Sequence, residues 1–360
     1  THGVMALEFR EPYCLVAAGW GDHAAKRWDM ESGLLQMAYR GSTEALWSVS
    51  TNPDMSQLAT ASADRSARVY DLASGLCLMK ADHDAPVMAV SIHGSLLATA
   101  SADVARIWDV NSGLCVATCR GHTASIIWLG FSPDGRELMT AGSDQTARRW
   151  DLAGECRMVY RGGHSGAIWA ASFNGRDGGL FLTGGADKTV VLWDAGGHPI
   201  RTYSGHSDAV TSLCSSADGH RFLSASVDKE ARLWDVSGDL LTTFRGHENG
   251  LFGVCFGRDG RTVITASGDR TMRFWAETGG LLGTLYNTRQ GHLWTTPPDP
   301  PQAPSGWFWT DRPDLVHVIE CDEEDGGYPR ALREDDPRRL AYLDKYNSQK
   351  MVMDRVNNPA

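Results

Sequence analysis

Between residues 121 and 160 the apolar positions fall into four short runs. Ile126 to Phe131 reads as a first strand, Glu137 to Gly142 as a second, Thr146 to Trp150 as a third and Cys156 to Tyr160 as a fourth. The breaks hold Ser132-Pro133-Asp134-Gly135, Ser143-Asp144-Gln145 and Asp151-Leu152-Ala153-Gly154, residues that set or tolerate tight-turn backbone angles. Short runs divided by turn residues every eight to twelve positions or so predict an antiparallel meander. Such a meander leaves both its faces uncovered, so neighbouring copies must cover them.

The same phrase recurs along most of the chain. An aromatic, usually followed by Asp, closes each third run: Trp28-Asp29, Tyr70-Asp71, Trp108-Asp109, Trp150-Asp151, Trp193-Asp194, Trp234-Asp235 and Trp275-Ala276. Successive aromatics lie 42, 38, 42, 43, 41 and 41 residues apart. Four strand-like runs inside a period of that length predict a β-propeller of seven four-stranded antiparallel blades. The boundaries fall at about 1–40, 41–81, 82–120, 121–162, 163–204, 205–245 and 246–286. Both the first and the seventh repeat hold four runs of their own. Closure of the ring is therefore expected from side-chain packing or from the tail, with no strand exchanged.

A second set of residues keeps the same phase. Gly-His pairs open four repeats, at Gly121-His122, Gly163-His164, Gly205-His206 and Gly246-His247, with a variant at Asp82-His83. Turn aspartates stand at Asp22, Asp64, Asp103, Asp144, Asp187, Asp228 and Asp269. Four positions before six of them lies a hydroxyl: Thr60, Thr99, Thr140, Thr183, Ser224 and Thr265. On these motifs the chain resembles the WD40-repeat family over about four-fifths of its length. The resemblance implies a buried network joining His, Asp, hydroxyl and indole N–H in each complete repeat. The sets are His122, Thr140, Asp144 and Trp150; His164, Thr183, Asp187 and Trp193; His206, Ser224, Asp228 and Trp234; and His247, Thr265, Asp269 and Trp275. Each group would be costly to bury alone, and together they satisfy one another. The role is structural, despite a superficial likeness to catalytic triads.

Some repeats depart from the pattern. Repeat one has Ala18 at the hydroxyl position and no opening His; repeat two has Ser42 for His and Tyr70 for Trp; repeat three is one residue short between Asp103 and Trp108. The first two blades are expected to be the softer part of the ring. A basic residue stands two before the aromatic in six repeats, at Lys26, Arg68, Arg106, Arg148, Arg232 and Arg273, where local pairing is expected.

Along the first strand the apolar positions step from fourth to seventh, counted from the opening His. Strand side chains alternate with period two, so an odd step requires a β-bulge. The bulge turns the fifth position toward the mouth of the central channel. Its occupants are Met5, Trp47, Met88, Ile127, Trp169, Thr211 and Phe252. Two readings of this collar stand: side chains that fill the channel, and a mouth that binds a partner's peptide through residues typical of interface hot spots.

After Tyr286 the period stops. Residues 287–306 are expected as a Pro-rich spacer, followed by an extension over 307–360. In the extension Trp307, Phe308 and Trp309 form an aromatic cluster, and Leu315–Ile319 reads as a short strand. Asp336-Pro337 starts a helix to about residue 356 that carries Tyr342, Leu343, Tyr346 and Met353 on one side. These aromatic and apolar residues are the tail's candidate partner contacts. The carboxylates of 320–325 read as a solvated acidic loop rather than a calcium site.

Composition narrows the function. The formal net charge of −10 opposes nucleic-acid binding by the molecule as a whole. Eight cysteines are scattered with no metal-ligand spacing, and Cys77, Cys115 and Cys156, in phase just after the Trp-Asp turn, are expected as small buried strand residues. No cofactor, metal or catalytic residue is expected, and no nucleotide-loop, nucleophile-elbow or zincin motif is present. The reading is a non-catalytic scaffold that binds other proteins inside a multiprotein assembly. Cytoplasmic, cytoskeletal or ciliary settings come first, and a chromatin- or RNA-processing module in the nucleus is the alternative. A ubiquitin-ligase receptor is disfavoured, since no Arg stands two positions after any aromatic-Asp pair.

Overall fold

The structure, a computed structural model, describes residues 4–10, 14–19, 23–29, 35–175, 179–257, 259–287, 292–295, 308–310, 319–321 and 329–331. Seven sheets hold their strands in chain order, each neighbour antiparallel, as the meander grammar requires. The first strands are Val4–Arg10, Leu46–Thr51, Val87–His93, Ile126–Phe131, Ile168–Asn174, Val210–Ser215 and Leu251–Phe256. Each packs against the first strand of the next sheet, and Val4–Arg10 packs against Leu251–Phe256. Among the described residues the circle closes by packing of these two strands, with each of these blades built from its own chain segment.

The core lies between blades. Second strands such as Gln57–Ser62, Leu96–Ser101 and Glu137–Gly142 are buried from their second residue to their last. They are rich in Ala and Thr because neighbouring sheets press on both faces, where little side-chain height fits. Ala59 and Ala61 of blade two share one apolar cluster with Val87 and Leu97 of blade three. Tyrosines at the ends of fourth strands tie neighbours together: Tyr39 Oη donates to Leu72 O at 2.6 Å, and Tyr203 Oη to Val236 O at 2.7 Å.

The fourth strands form the rim, and here one expectation fails. Cys77, Cys115 and Cys156 are exposed. They sit where the outermost strand begins, opposite Tyr70, Trp108 and Trp150, on an edge that no further sheet covers. Cys119 and Cys255 are the buried thiols. Burial pushes the Cys119 thiol up to about 12, which leaves it inert.

Blade seven differs from the others at its rim. Its fourth strand, Leu281–Asn287, pairs with His292–Thr295, which pairs in turn with Phe308–Thr310, so this sheet has six strands. The segment expected as a spacer over 287–306 thus contributes a strand of its own, paired to the edge of Leu281–Asn287. Farther on, Ile319–Cys321 pairs with Pro329–Ala331, beginning where the expected strand Leu315–Ile319 ends. Trp307 and the expected helix with Tyr342, Leu343, Tyr346 and Met353 lie outside the described residues. Among the described residues every regular element is a strand.

Candidate functional site

In blades four to seven the turn aspartate, the opening histidine, the second-strand hydroxyl and the indole meet as a chain of hydrogen bonds. In blade four His122 Nδ1 lies 2.8 Å from Asp144 Oδ2 and Nε2 lies 2.8 Å from Thr140 Oγ1, while Trp150 Nε1 donates to Thr140 Oγ1 at 2.8 Å. The hydroxyl-to-His distance is 2.8 Å in the other three as well. Their indole donors stand 2.7 to 2.9 Å from Thr183, Ser224 and Thr265. A carboxylate only accepts, which places the ring proton on Nδ1; a neutral ring then takes the hydroxyl proton at Nε2. Burial favours that neutral ring, and it holds His122 and His247 below the ordinary histidine range. For Asp228 burial acts upward, but hydrogen bonds from His206 and backbone N–H groups outweigh it and bring the carboxyl to about 2. Thr140, Thr183, Ser224 and Thr265 are 0% exposed, so the hydroxyl that a triad would present to substrate is sealed inside the blade.

Blades two and three solve the same burial problem differently. With Ser42 at the histidine position, the Arg68 guanidinium fills the gap. Its Nη1 donates to Asp64 at 2.9 Å, to Ser42 Oγ at 3.0 Å and to Ser66 Oγ at 2.6 Å. Tyr70 Oη donates to Arg40 O at 3.1 Å, and Thr60 Oγ1 is left with only a weak contact to that phenol. In blade three the missing residue shortens the turn to Ala102-Asp103, which leaves Asp103 exposed and far from its intended role. His83 meets Arg106 instead, at 3.0 Å, and burial together with that cation pushes its imidazole down to about 4. Trp108 still donates to Thr99 at 2.9 Å. Local use of the basic position extends to Arg232, which pairs with Glu230 at 3.0 Å, and to Arg273, which lies 5.9 Å from the Trp275 ring centre. It also explains the opening glycine: a Cβ on Gly121, at φ +149, would meet Arg148 Nη1 at 2.6 Å.

The register shifts at the fifth position in all seven sheets. In six the break falls directly across Met5, Trp47, Ile127, Trp169, Thr211 and Phe252, and in blade three the second strand skips Met88. Trp47, Met88, Ile127, Trp169, Thr211 and Phe252 line one cavity of about 460 Å3 at the centre of the ring, and all six are half-buried. Met5 is placed by its strand alone, its side chain lying outside the described residues.

The polar lining has a second purpose. An innermost strand has no sheet neighbour on its channel side, and its N–H groups need acceptors. The preceding blade supplies them: Ser48 Oγ accepts from Val90 N at 3.4 Å, Ser50 Oγ from Ile92 N at 3.3 Å, Ser91 Oγ from Phe131 N at 3.2 Å and Ser212 Oγ from Val254 N at 3.3 Å. Glu8 Oε2 accepts from Thr51 N at 2.6 Å. Thr211 belongs with these staples, since its hydroxyl donates to Leu251 O of the next blade at 2.6 Å. What remains at the mouth is apolar and large: Trp47, Met88, Ile127, Trp169 and Phe252. The indole N–H of Trp47 is buried with no partner among the described residues. Sequence reasoning missed Trp128, which also lines the cavity and packs 6.1 Å from the Phe181 ring centre. The signal was available, because every other sixth position is Ala, Ser or Gly.

Comparison with known proteins agrees with this architecture. Five segments, 33–71, 113–151, 154–194, 197–235 and 238–276, match the family described as WD domain, G-beta repeat, and together they make up more than half the chain. The protein belongs to that family. The repeats ending at Asp29 and Asp109 go unmatched, and these are the repeat without a histidine or hydroxyl and the repeat with the short turn. Over 165 residues the chain is 35% identical to the nuclear distribution protein PAC1 of Arthroderma otae, covering 42% of this chain and 36% of that protein. It is 28% identical over 183 residues to pre-mRNA-processing factor 19 homolog 2 of Arabidopsis thaliana, covering 48% and 34%. Likeness to THO complex subunit 6 of the same plant is 28% over 143 residues, covering 37% and 38%. The chain thus spans about a third of the length of these curated relatives.

Proposed function

We propose that this propeller is a non-catalytic scaffold whose channel mouth holds a peptide segment of a partner protein within a larger assembly. The observation that carries the reading is the mouth itself. Trp47, Met88, Trp169 and Phe252 converge there half-exposed, although the channel walls are already stapled without them. Aromatic and Met side chains in a concave, partly dry site are the usual anchors of peptide affinity. Likeness to PAC1 proteins, named for nuclear distribution, supports a cytoplasmic assembly of cytoskeletal kind. The second reading, a subunit of a nuclear RNA-processing complex, is favoured by likeness to the pre-mRNA-processing factor and the THO subunit.

Affinity capture with the full chain, set beside Trp47→Ala/Trp169→Ala, tests the mouth. Partners held by the parent are expected to be lost by the double variant, and their retention would remove the proposal. A parallel capture with residues 1–310 separates the ring from the tail. The cut belongs there because one at residue 287 would strip His292–Thr295 and Phe308–Thr310 from blade seven. The proteins recovered also decide between the two settings.

A further inference from the structure

The two faces of the ring differ in charge. On the face away from the mouth, turns after the first strands carry Asp54, Asp134, Asp218 and Asp259, whose carboxylates accept backbone N–H groups of their own turns. Turns after the third strands add Asp71, Asp109, Asp151, Asp194 and Asp235. The same turns also carry Arg136 and Arg261.

On the mouth face each turn after a second strand places one residue in the left-handed region. Four of these are exposed bases: Arg65 at φ 67, Lys188 at φ 72, Lys229 at φ 73 and Arg270 at φ 76. None of the four pairs with a carboxylate among the described residues. Around much of the mouth they alternate with exposed acids, Arg65 with Glu44, Lys229 with Asp208 and Arg270 with Glu248. Two sectors break the alternation. Blade three presents Asp82, Asp84 and Asp103, all exposed. Blades four and five present Arg161 and Lys188, also exposed. In the loops of that sector, 121–125, 143–146, 161–167 and 186–189, the only carboxylates are Asp144 and Asp187, and both are turned inward onto histidines. Trp169 and Trp128 line the cavity beside this basic sector.

A ligand that sets an apolar side chain among the aromatics and runs outward across blades four and five would pass the turn of Lys188 and reach Arg161, which follows the outermost strand of blade four. We infer that the partner segment is acidic, with an aliphatic or aromatic residue seated at Trp169 and carboxylates facing Arg161 and Lys188. The inference rests on the mouth reading above and adds the chemistry of the occupant. Charge complementarity of this kind steers association and is weakened by salt.

A random dodecapeptide library displayed on phage, selected against the full chain, tests it. Selected sequences are expected to be rich in Asp and Glu around one apolar residue. Synthetic versions should bind at least about tenfold more weakly to Arg161→Glu/Lys188→Glu, as reversal of two facing charges implies. The far-face control Arg136→Glu/Arg261→Glu should leave affinity unchanged. Enrichment of Lys and Arg, absence of any enrichment, or indifference to the Arg161/Lys188 reversal each overturns the acidic assignment. Tighter binding of a ten-nucleotide oligothymidylate than of the selected peptides overturns it too. Selected peptides without acidic bias that are lost on Trp169→Ala would overturn the charge assignment and leave the mouth standing. Acidic peptides that bind Trp47→Ala/Trp169→Ala normally would remove the mouth instead.

Discussion

Blades four to seven and blades two and three bury the same kinds of polar group by different means. The first set uses an imidazole between a carboxylate and a hydroxyl, repeated with distances that agree within a few tenths of an ångström. Blade two recruits a guanidinium to the same carboxylate, and blade three abandons the carboxylate and sets its histidine against an arginine. The requirement is therefore satisfaction of donors and acceptors in a dry blade, and the residue types can change while that requirement holds. The exchange has a cost in completeness, visible in the weakly held Thr60 Oγ1 of blade two.

The largest expected effect comes from removing a hydroxyl that is in use. Thr140→Val leaves Trp150 Nε1 and His122 Nε2 without partners in a fully buried place, and should destabilise the ring by about 2–5 kcal/mol. Thr60→Val removes a hydroxyl whose one contact is a weak one with the Tyr70 phenol, in an equally buried place, and should change stability by less than about 1 kcal/mol. Urea unfolding of the two variants under one set of conditions makes the measurement. Equal losses would mean that the complete networks are not what braces the ring. Next in size is Arg68→Ala. It withdraws three hydrogen bonds and uncovers a largely buried Asp64 carboxylate, for an expected loss of about 2–3 kcal/mol. In Arg148→Ala the loss is packing over Gly121, about 0.5–1 kcal/mol.

A smaller difference should appear without mutation. Blade one lacks both the opening histidine and the hydroxyl, and blade two has the incomplete set, so amides of their second and third strands should exchange hydrogen faster than those of blades five and six. Equal protection across the four blades would contradict this.

Much of this was legible in the chain because periodicity is written in side chains. The aromatic-Asp phrase gives the blade count. The odd step between the fourth and seventh positions gives the bulge, and the structure has it in every blade. What the sequence hid depends on edges. Whether a cysteine at the start of a fourth strand is buried depends on whether anything lies beyond that strand, and Cys77 and Cys115 carry no local mark of it. The fifth and sixth strands of blade seven escaped because His292–Thr295 and Phe308–Thr310 are too short for alternation to register. At the mouth, Thr211 looks like its neighbours in sequence, and only the 2.6 Å bond to Leu251 O reveals a staple.

Acid separates the two kinds of blade by the pH range over which each loses stability. His122 and His247 are held below their ordinary range by burial, so the folded ring binds fewer protons there than the unfolded chain. Their contribution is fully present above the unfolded histidine value of about 6.5 and falls away as pH drops below it. Blade two has no histidine in its network. Its Asp64 is brought to about 2, with burial acting upward and the bonds from Ser66, Thr43 N and Arg68 outweighing it. A carboxyl lowered in this way stabilises above its unfolded value near 3.8, and that stabilisation is lost only as pH falls from there toward 2. Amide exchange corrected for intrinsic rate should therefore show protection in blades four and seven declining as pH falls below about 6.5, while blade two holds until about pH 4. A parallel decline in blade two over the upper range would mean that its guanidinium network is coupled to the histidine blades through the closed ring. Asp64→Asn, which removes the low-pH titration from blade two alone, would then leave that upper decline in place.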